Sequence, residues 1–277
     1  TDGACSRYMD NMTRNPVGLP KALFVWADGS KELMGMSQNS GLDEYNKNIL
    51  EILWGRKPIT EIPEKHRDIW GLCGDKFNII SCQFAIHYFF SSLETLETVV
   101  RNISNNTKND GYFIGTSFDG NTIYNKLKEH DKGDMLVGKH QHKGNVIWRI
   151  RKEYDNLGDT LPLDETSLGM EIKVFIETIN QTFTEYLFNF EYFEQLMNQN
   201  DMYIISKQDA NEIGLPSGSH LFSSLYDNLQ KDKSCKYGTA LNMTEIEKEI
   251  SFFNRYFIFQ KKEGSKKKKI HITKKKK

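Results

Sequence analysis

The chain has 277 residues, 38% hydrophobic and 12% aromatic, enough for one large domain with a real core. Its formal charge is zero, 37 basic residues against 37 acidic ones, a balance that hides an asymmetry along the chain. No apolar run is long enough to span a membrane and no secretory pattern occurs, while Cys5, Cys73, Cys82 and Cys235 show neither metal-ligand spacing nor a disulfide framework. Four scattered cysteines in a chain of this length indicate a reducing compartment. The opening residues lack an initiator methionine and run straight into a helical pattern, so a cut inside a longer protein is expected. The apolar run 22–27, ending in Asp28-Gly29-Ser30, predicts a buried strand and a turn. Residues 35–75 are mixed and polar and read as an insertion with one helix near 43–54. A second buried strand is predicted at 77–83. Leu93, Leu96, Val99, Val100 and Ile103 share one helical face across 91–107. Asn109-Asp110-Gly111 reads as a turn and 111–116 as a third strand, followed by a helix at 120–129. Further strands are predicted near 145–153 and 170–177, a helix at 188–200, a short strand at 203–206 and an aromatic-rich strand at 252–261. Strands alternating with helices through short turns indicate an α/β sheet that finishes in antiparallel strands.

The end of the chain holds the charge asymmetry. Eight lysines fall in 266–269 and 274–277, and without them 29 basic residues face 37 acidic ones, a net charge of −8. Residues 263–277 are expected to be a disordered basic tail, either a solvated extension or a nonspecific attractor of RNA phosphates.

Three segments carry a resemblance. The first is Cys82-Gln83-Phe84-Ala85-Ile86-His87-Tyr88-Phe89-Phe90, followed after a helix by Asn109-Asp110-Gly111-Tyr112-Phe113-Ile114-Gly115-Thr116. The second is Thr184-Glu185-Tyr186-Leu187-Phe188-Asn189-Phe190, and the third is Arg255-Tyr256-Phe257-Ile258-Phe259-Gln260-Lys261-Lys262. In kind, order and spacing they resemble the mRNA cap guanine-N7 methyltransferase family over roughly 1–262, with Asp110 in place of a glycine. Asp2-Gly3-Ala4-Cys5-Ser6-Arg7-Tyr8 and the stretch from Leu161 to Gly169 are similar to capping enzymes of large DNA viruses. The resemblance implies a Rossmann-like class I fold dependent on S-adenosylmethionine, truncated at its N-terminus. The family's Gly-rich cofactor loop and its ribose-binding acidic residue would both lie upstream of Thr1. It also implies 5′-capped RNA as substrate, triphosphatase and guanylyltransferase domains in the same polypeptide, and a cytoplasmic setting, in a virus factory or virion. No membrane and no metal enter this picture.

The resemblance assigns roles residue by residue. Asp28, Gln83 and Tyr88 would contact the cofactor; read without the family, they are a turn residue, a strand terminus and a half-buried aromatic. Phe84, His87, Tyr88 and Glu185 would form the cap pocket, by stacking on guanine and accepting from its N1–H and N2 amine. The bland alternatives are a satisfied core histidine and a solvated glutamate at a helix start. The family's last pocket residue is an aromatic. Counting back from Phe259 lands on Asn254, and the role passes to Tyr256, two residues on and on the same strand face, where an edge-strand aromatic is the alternative. Guanine N7 carries a lone pair and no proton, so no general base is required, and the chain has no nucleophile-elbow or metalloprotease motif. Two other functions stay open: a cofactor-deficient module that holds capped RNA or a partner, and a methyltransferase acting on a different substrate.

Overall fold

The computed structural model describes residues 3–15, 17, 19–33, 42–140, 144–231 and 240–263. They divide into two compact units, one covering 1–29 and 33–74, the other 30–32 and 75–277. The expected tail lies outside the described residues apart from Glu263.

The N-terminal unit holds helices α1 (Ala4–Arg14) and α2 (Glu44–Leu53). Asp43 caps α2 by accepting from the Asn46 backbone N–H at 2.7 Å. Ile49, Leu50 and Leu53 bury one face of α2 with Leu42, and Val25 and Ala27 pack onto that cluster. Residues 22–27, expected to be a strand, form none. A strand persists through a ladder with a neighbour, and among the described residues nothing pairs with this run. Val25 and Ala27 are instead held by the α2 cluster, while Leu23, Phe24 and Trp26 are exposed rather than buried. Asp28 therefore precedes the Gly29–Ser30 turn without ending a strand.

The larger unit runs β1 (Phe77–Gln83), α3 (Leu93–Asn106), β2 (Thr107–Phe118), α4 (Gly120–Leu127), β3 (Met135–Lys139), β4 (Val146–Lys152), β5 (Glu171–Ile176), β6 (Gln181–Tyr186), α5 (Phe190–Gln199), β7 (Met202–Ile204), α6 (Lys207–Glu212), β8 (Ser219–Leu221), α7 (Phe222–Lys231), α8 (Glu245–Phe252) and β9 (Asn254–Lys261). The main sheet has the order β1-β2-β9-β7, with β8 also paired to β9. β1 and β2 are parallel through α3, and β9 enters antiparallel beside β2. β3 to β6 form a separate antiparallel sheet in sequence order.

α3 forms where the apolar spacing places it, capped by Ser92, with Leu96, Val99, Val100 and Ile103 buried. These pack with Phe113, Phe193, Phe257 and Phe259 in an aromatic core. β2 starts earlier than expected and runs through the predicted 109–111 turn. Asp110 absorbs the irregularity at φ 62, a backbone state that favours glycine. Gly115 has a steric requirement: a Cβ there would lie 2.4 Å from the Phe257 ring and 2.7 Å from Cys82 O.

Candidate functional site: an aromatic pocket with buried acceptors

β1 ends at Gln83, on the edge of the sheet where open α/β folds bind their ligands. Phe84 has φ 51, rare for a bulky side chain, and its N–H still donates to Thr116 O at 2.9 Å. The bend turns the chain out of the sheet into a short 3-10 segment, Ile86–Ser91. It leaves Phe84 54% exposed while His87 is buried. Non-glycine residues held in this state cluster at functional sites.

Beside this bend lies a pocket of about 490 Å3, a size that suits a nucleoside. Phe84, His87 and Tyr88 come from the bend, Phe118 from the end of β2, and Ile176, Ile179, Phe183 and Glu185 from the β5–β6 hairpin. Ile250, Ser251 and Asn254 close it from α8 and the start of β9. The wall is mostly apolar, with few polar groups, as orientation-selective sites are built.

Glu185 is no helix-start residue. It lies in β6 opposite Ile172, one alternation from Phe183, and is 9% exposed. Its Oε2 stands 3.5 Å from His87 Nε2, and neither atom has a hydrogen-bond partner. Burial lifts the Glu185 carboxyl to about 7 and pushes the His87 imidazole down to about 4. The two are thus not an ion pair at neutral pH: His87 is uncharged and Glu185 is poised between its forms. His87 Nδ1 lies 3.3 Å from Ser117 Oγ, and its ring packs on Tyr88 with centroids 4.3 Å apart.

The structure brings Phe84, His87, Tyr88 and Glu185 into one wall. It does not bring Tyr256 there. The Tyr256 hydroxyl donates to Ser217 O at 2.9 Å, within the β8–β9 corner, and Asn254 lines the pocket in its place. The direct count from Phe259 therefore finds the wall residue that the substitution of Tyr256 missed. Gln83 sits next to the pocket at the sheet edge, exposed, its Oε1 accepting from Thr116 Oγ1 at 2.8 Å and its Nε2 donating to Ser81 Oγ at 3.0 Å. Asp28 belongs to the N-terminal unit.

Sequence reading also missed Phe118, Ile176 and Phe183. Had 181–186 been read as a strand, its period of two would have put Phe183 and Glu185 on one face. A part-buried ion pair ties β9 to the start of α4. Arg255 Nε is 2.6 Å from Asp119 Oδ2, and Asp119 Oδ1 caps α4 by accepting from the Thr122 N–H.

A parallel β–α–β unit joined by an antiparallel closing strand, with a pocket at the strand ends, is a Rossmann-like α/β frame. Residues 52–262 match the mRNA (guanine-N(7))-methyltransferase domain family, and the chain belongs to that family. A protein of Acanthamoeba polyphaga mimivirus named "Probable mRNA-capping enzyme" is 27% identical over 94% of this chain and 22% of its own length. The mRNA cap guanine-N(7) methyltransferase of Candida albicans is 27% identical over 66% of this chain and 38% of its own. The chain thus spans less than half the length of these relatives. A crystal structure of an S-adenosylmethionine-dependent methyltransferase from Clostridium acetobutylicum aligns at 12% identity and a TM-score of 0.35, covering 80% of this chain and 73% of that one, too loose a likeness to carry weight. No helix among the described residues is long and apolar enough to cross a membrane, and they contain no cluster of metal-ligating side chains.

Proposed function

We propose that this chain methylates N7 of the 5′ cap guanine of RNA, with the pocket holding the guanine. The observation that carries the reading is the buried Glu185 carboxyl, whose Oε2 has no hydrogen-bond partner, in an aromatic wall. An ionised carboxylate in that position accepts from N1–H and the N2 amine of guanine, a donor pair that adenine does not present. Phe84 or Tyr88 offers a face for stacking, worth about 1–3 kcal/mol per base.

S-adenosylmethionine supplies an electrophilic methyl on sulfonium. The residues at the strand edge fit such a ligand: the exposed Gln83 amide can hydrogen-bond the amino-acid end, and the half-exposed Tyr88 ring can cover the methionine chain. Asp28 is the proposed partner of the adenine end, by its place in the family pattern. The chain's own contribution is positioning and exclusion of water. N7 needs no deprotonation, so neutral His87 and the apolar wall act by holding the base in line, without an acid–base cycle. This reading favours a methyltransferase over a module that only holds capped RNA, because the Gln83–Tyr88 edge stands beside the base pocket.

The name of the mimivirus relative, a probable mRNA-capping enzyme, supports a place in a longer capping polypeptide. By the family resemblance that polypeptide would also carry triphosphatase and guanylyltransferase domains and act in the cytoplasm, in a virus factory or virion. Within it, 1–262 would form the methyltransferase region with 35–75 as an insertion, and 263–277 a basic tail. The test is to incubate the longer capping polypeptide that carries this chain with labelled S-adenosylmethionine and RNA capped with unmethylated guanosine, then digest and separate the nucleosides. Label in N7-methylguanosine is expected. Label on a ribose or an internal base would refute the assignment.

A further inference from the structure

Asn254 opens β9, opposite Phe118 of β2, and lines the pocket at 7% exposure. Its Nδ2 donates to Ile250 O at 3.1 Å and Ser251 O at 3.0 Å, carbonyls of the last turn of α8. Carbonyls of a last turn lack i+4 donors within the helix, and the amide supplies Ile250 O and adds a second donor to Ser251 O, which also takes the Phe253 N–H. These two bonds also settle the amide's orientation, since a flipped side chain would set Oδ1 against two carbonyl oxygens. They leave Oδ1 buried with no donor.

Buried polar atoms without partners are uncommon in folded proteins, because the hydration they lose is not replaced. Among the described residues four side-chain atoms are in this state, and three of them, on His87, Glu185 and Asn254, belong to this one pocket wall. Glu185 alone cannot satisfy the edge of guanine. That edge carries three hydrogens, one on N1 and two on N2, and a facing carboxylate takes N1–H and one amine hydrogen. The second amine hydrogen is left for another acceptor. We infer that Asn254 is a specificity-determining residue whose Oδ1 accepts that second N2 hydrogen. The inference rests on the reading of the pocket as the cap-guanine site. Where the family pattern leads one to expect an aromatic ring, this chain carries a directed acceptor. It selects for the exocyclic amine itself, which neither adenine nor inosine places at that position.

The test titrates the 277-residue chain and its Asn254→Ala variant with two cap dinucleotides, one bearing guanosine and one inosine, both unmethylated. Inosine keeps N1–H and lacks the amine. The preference for guanosine over inosine is expected to shrink by roughly five-fold in the variant, the factor for losing one neutral hydrogen bond. A preference unchanged within about two-fold overturns the assignment. A second measurement does not depend on the variant's folding: the wild-type chain is titrated with an N2-methylguanosine cap dinucleotide. A loss of roughly five-fold is expected, and binding as tight as that of guanosine overturns the role. If the wild-type chain binds neither the guanosine nor the inosine compound, the cap-site reading fails first. That result is distinct from guanosine binding whose selectivity ignores Asn254.

Discussion

Glu185 and His87 face each other with opposite debts to solvent. The folded chain holds the Glu185 proton up to about pH 7, whereas an ordinary carboxyl releases it near 4.5. Glu185 therefore costs nothing below 4.5 and destabilises the fold increasingly as pH rises to 7. His87 acts in reverse. Its pKa falls from 6.5 to about 4, so the stability it permits is complete above 6.5 and is lost as pH falls toward 4. Glu185→Gln removes the first debt only. Thermal melts should show the variant gaining on the wild type at pH 8, by up to about 3 kcal/mol, with the gap closing by pH 4.5. A variant less stable at pH 8 would make Glu185 a structural residue. Phe84 tests the wall in a different way. Its ring is exposed and its backbone strained, so Phe84→Ala should leave the melting temperature nearly unchanged. The same change should weaken cap-analogue binding by about 1–3 kcal/mol. A large loss of stability without loss of affinity would count against stacking.

At the scale of elements, the site stands where β1, β2, the β5–β6 hairpin and the α8–β9 junction converge. Asp119 helps hold that junction, capping α4 while binding Arg255 of β9, whose guanidinium also lies 4.5 Å from the Phe190 ring centroid. Asp119 is buried and Arg255 part-buried, so Asp119→Ala leaves the Arg255 guanidinium without its carboxylate in a mostly dry setting. The loss should be about 3–5 kcal/mol by denaturant titration. A loss under about 1 kcal/mol would show the pair to be solvent-screened. Elements with strong periodicity were legible in the sequence: α3, β1, β4, β5 and β9 lie within a few residues of where their patterns put them. β3, β6, β8 and the helices α6 to α8 were not. β6 is mostly polar, Gln181-Thr182-Phe183-Thr184-Glu185, and becomes a strand through its ladder with β5. β3 depends on Gly138, where a Cβ would meet the Trp148 ring at 2.1 Å, a tertiary reason no local pattern reveals. Phe84, His87 and Tyr88 were readable because they sit in one dense motif, and Glu185 because a second short motif carries it. Phe118, Ile176 and Phe183 were not, since an apolar wall residue looks like any core residue until the fold brings it to a pocket. The apolar run 22–27 shows the converse, a strand-like sequence without a partner strand.

At the scale of the whole molecule, charge and recognition separate. The pocket relies on shape and a few buried acceptors, while eight lysines lie in the last twelve residues. Deleting 263–277 should lower affinity for capped RNA at low salt and flatten its salt dependence, leaving the ratio of capped to uncapped RNA binding unchanged. A changed ratio at fixed salt would make the tail part of the cap site. The central claim is that Glu185 reads guanine, and calorimetry with two unmethylated cap dinucleotides, one opening with guanosine and the other with adenosine, tests it most directly. At pH 8, where the carboxyl is ionised, guanosine should bind at least about ten-fold more tightly, and the preference should shrink at pH 6 and fall in Glu185→Gln to no more than the roughly five-fold that Asn254 supplies. Equal affinities at pH 8, or a preference undiminished in Glu185→Gln, would contradict the account.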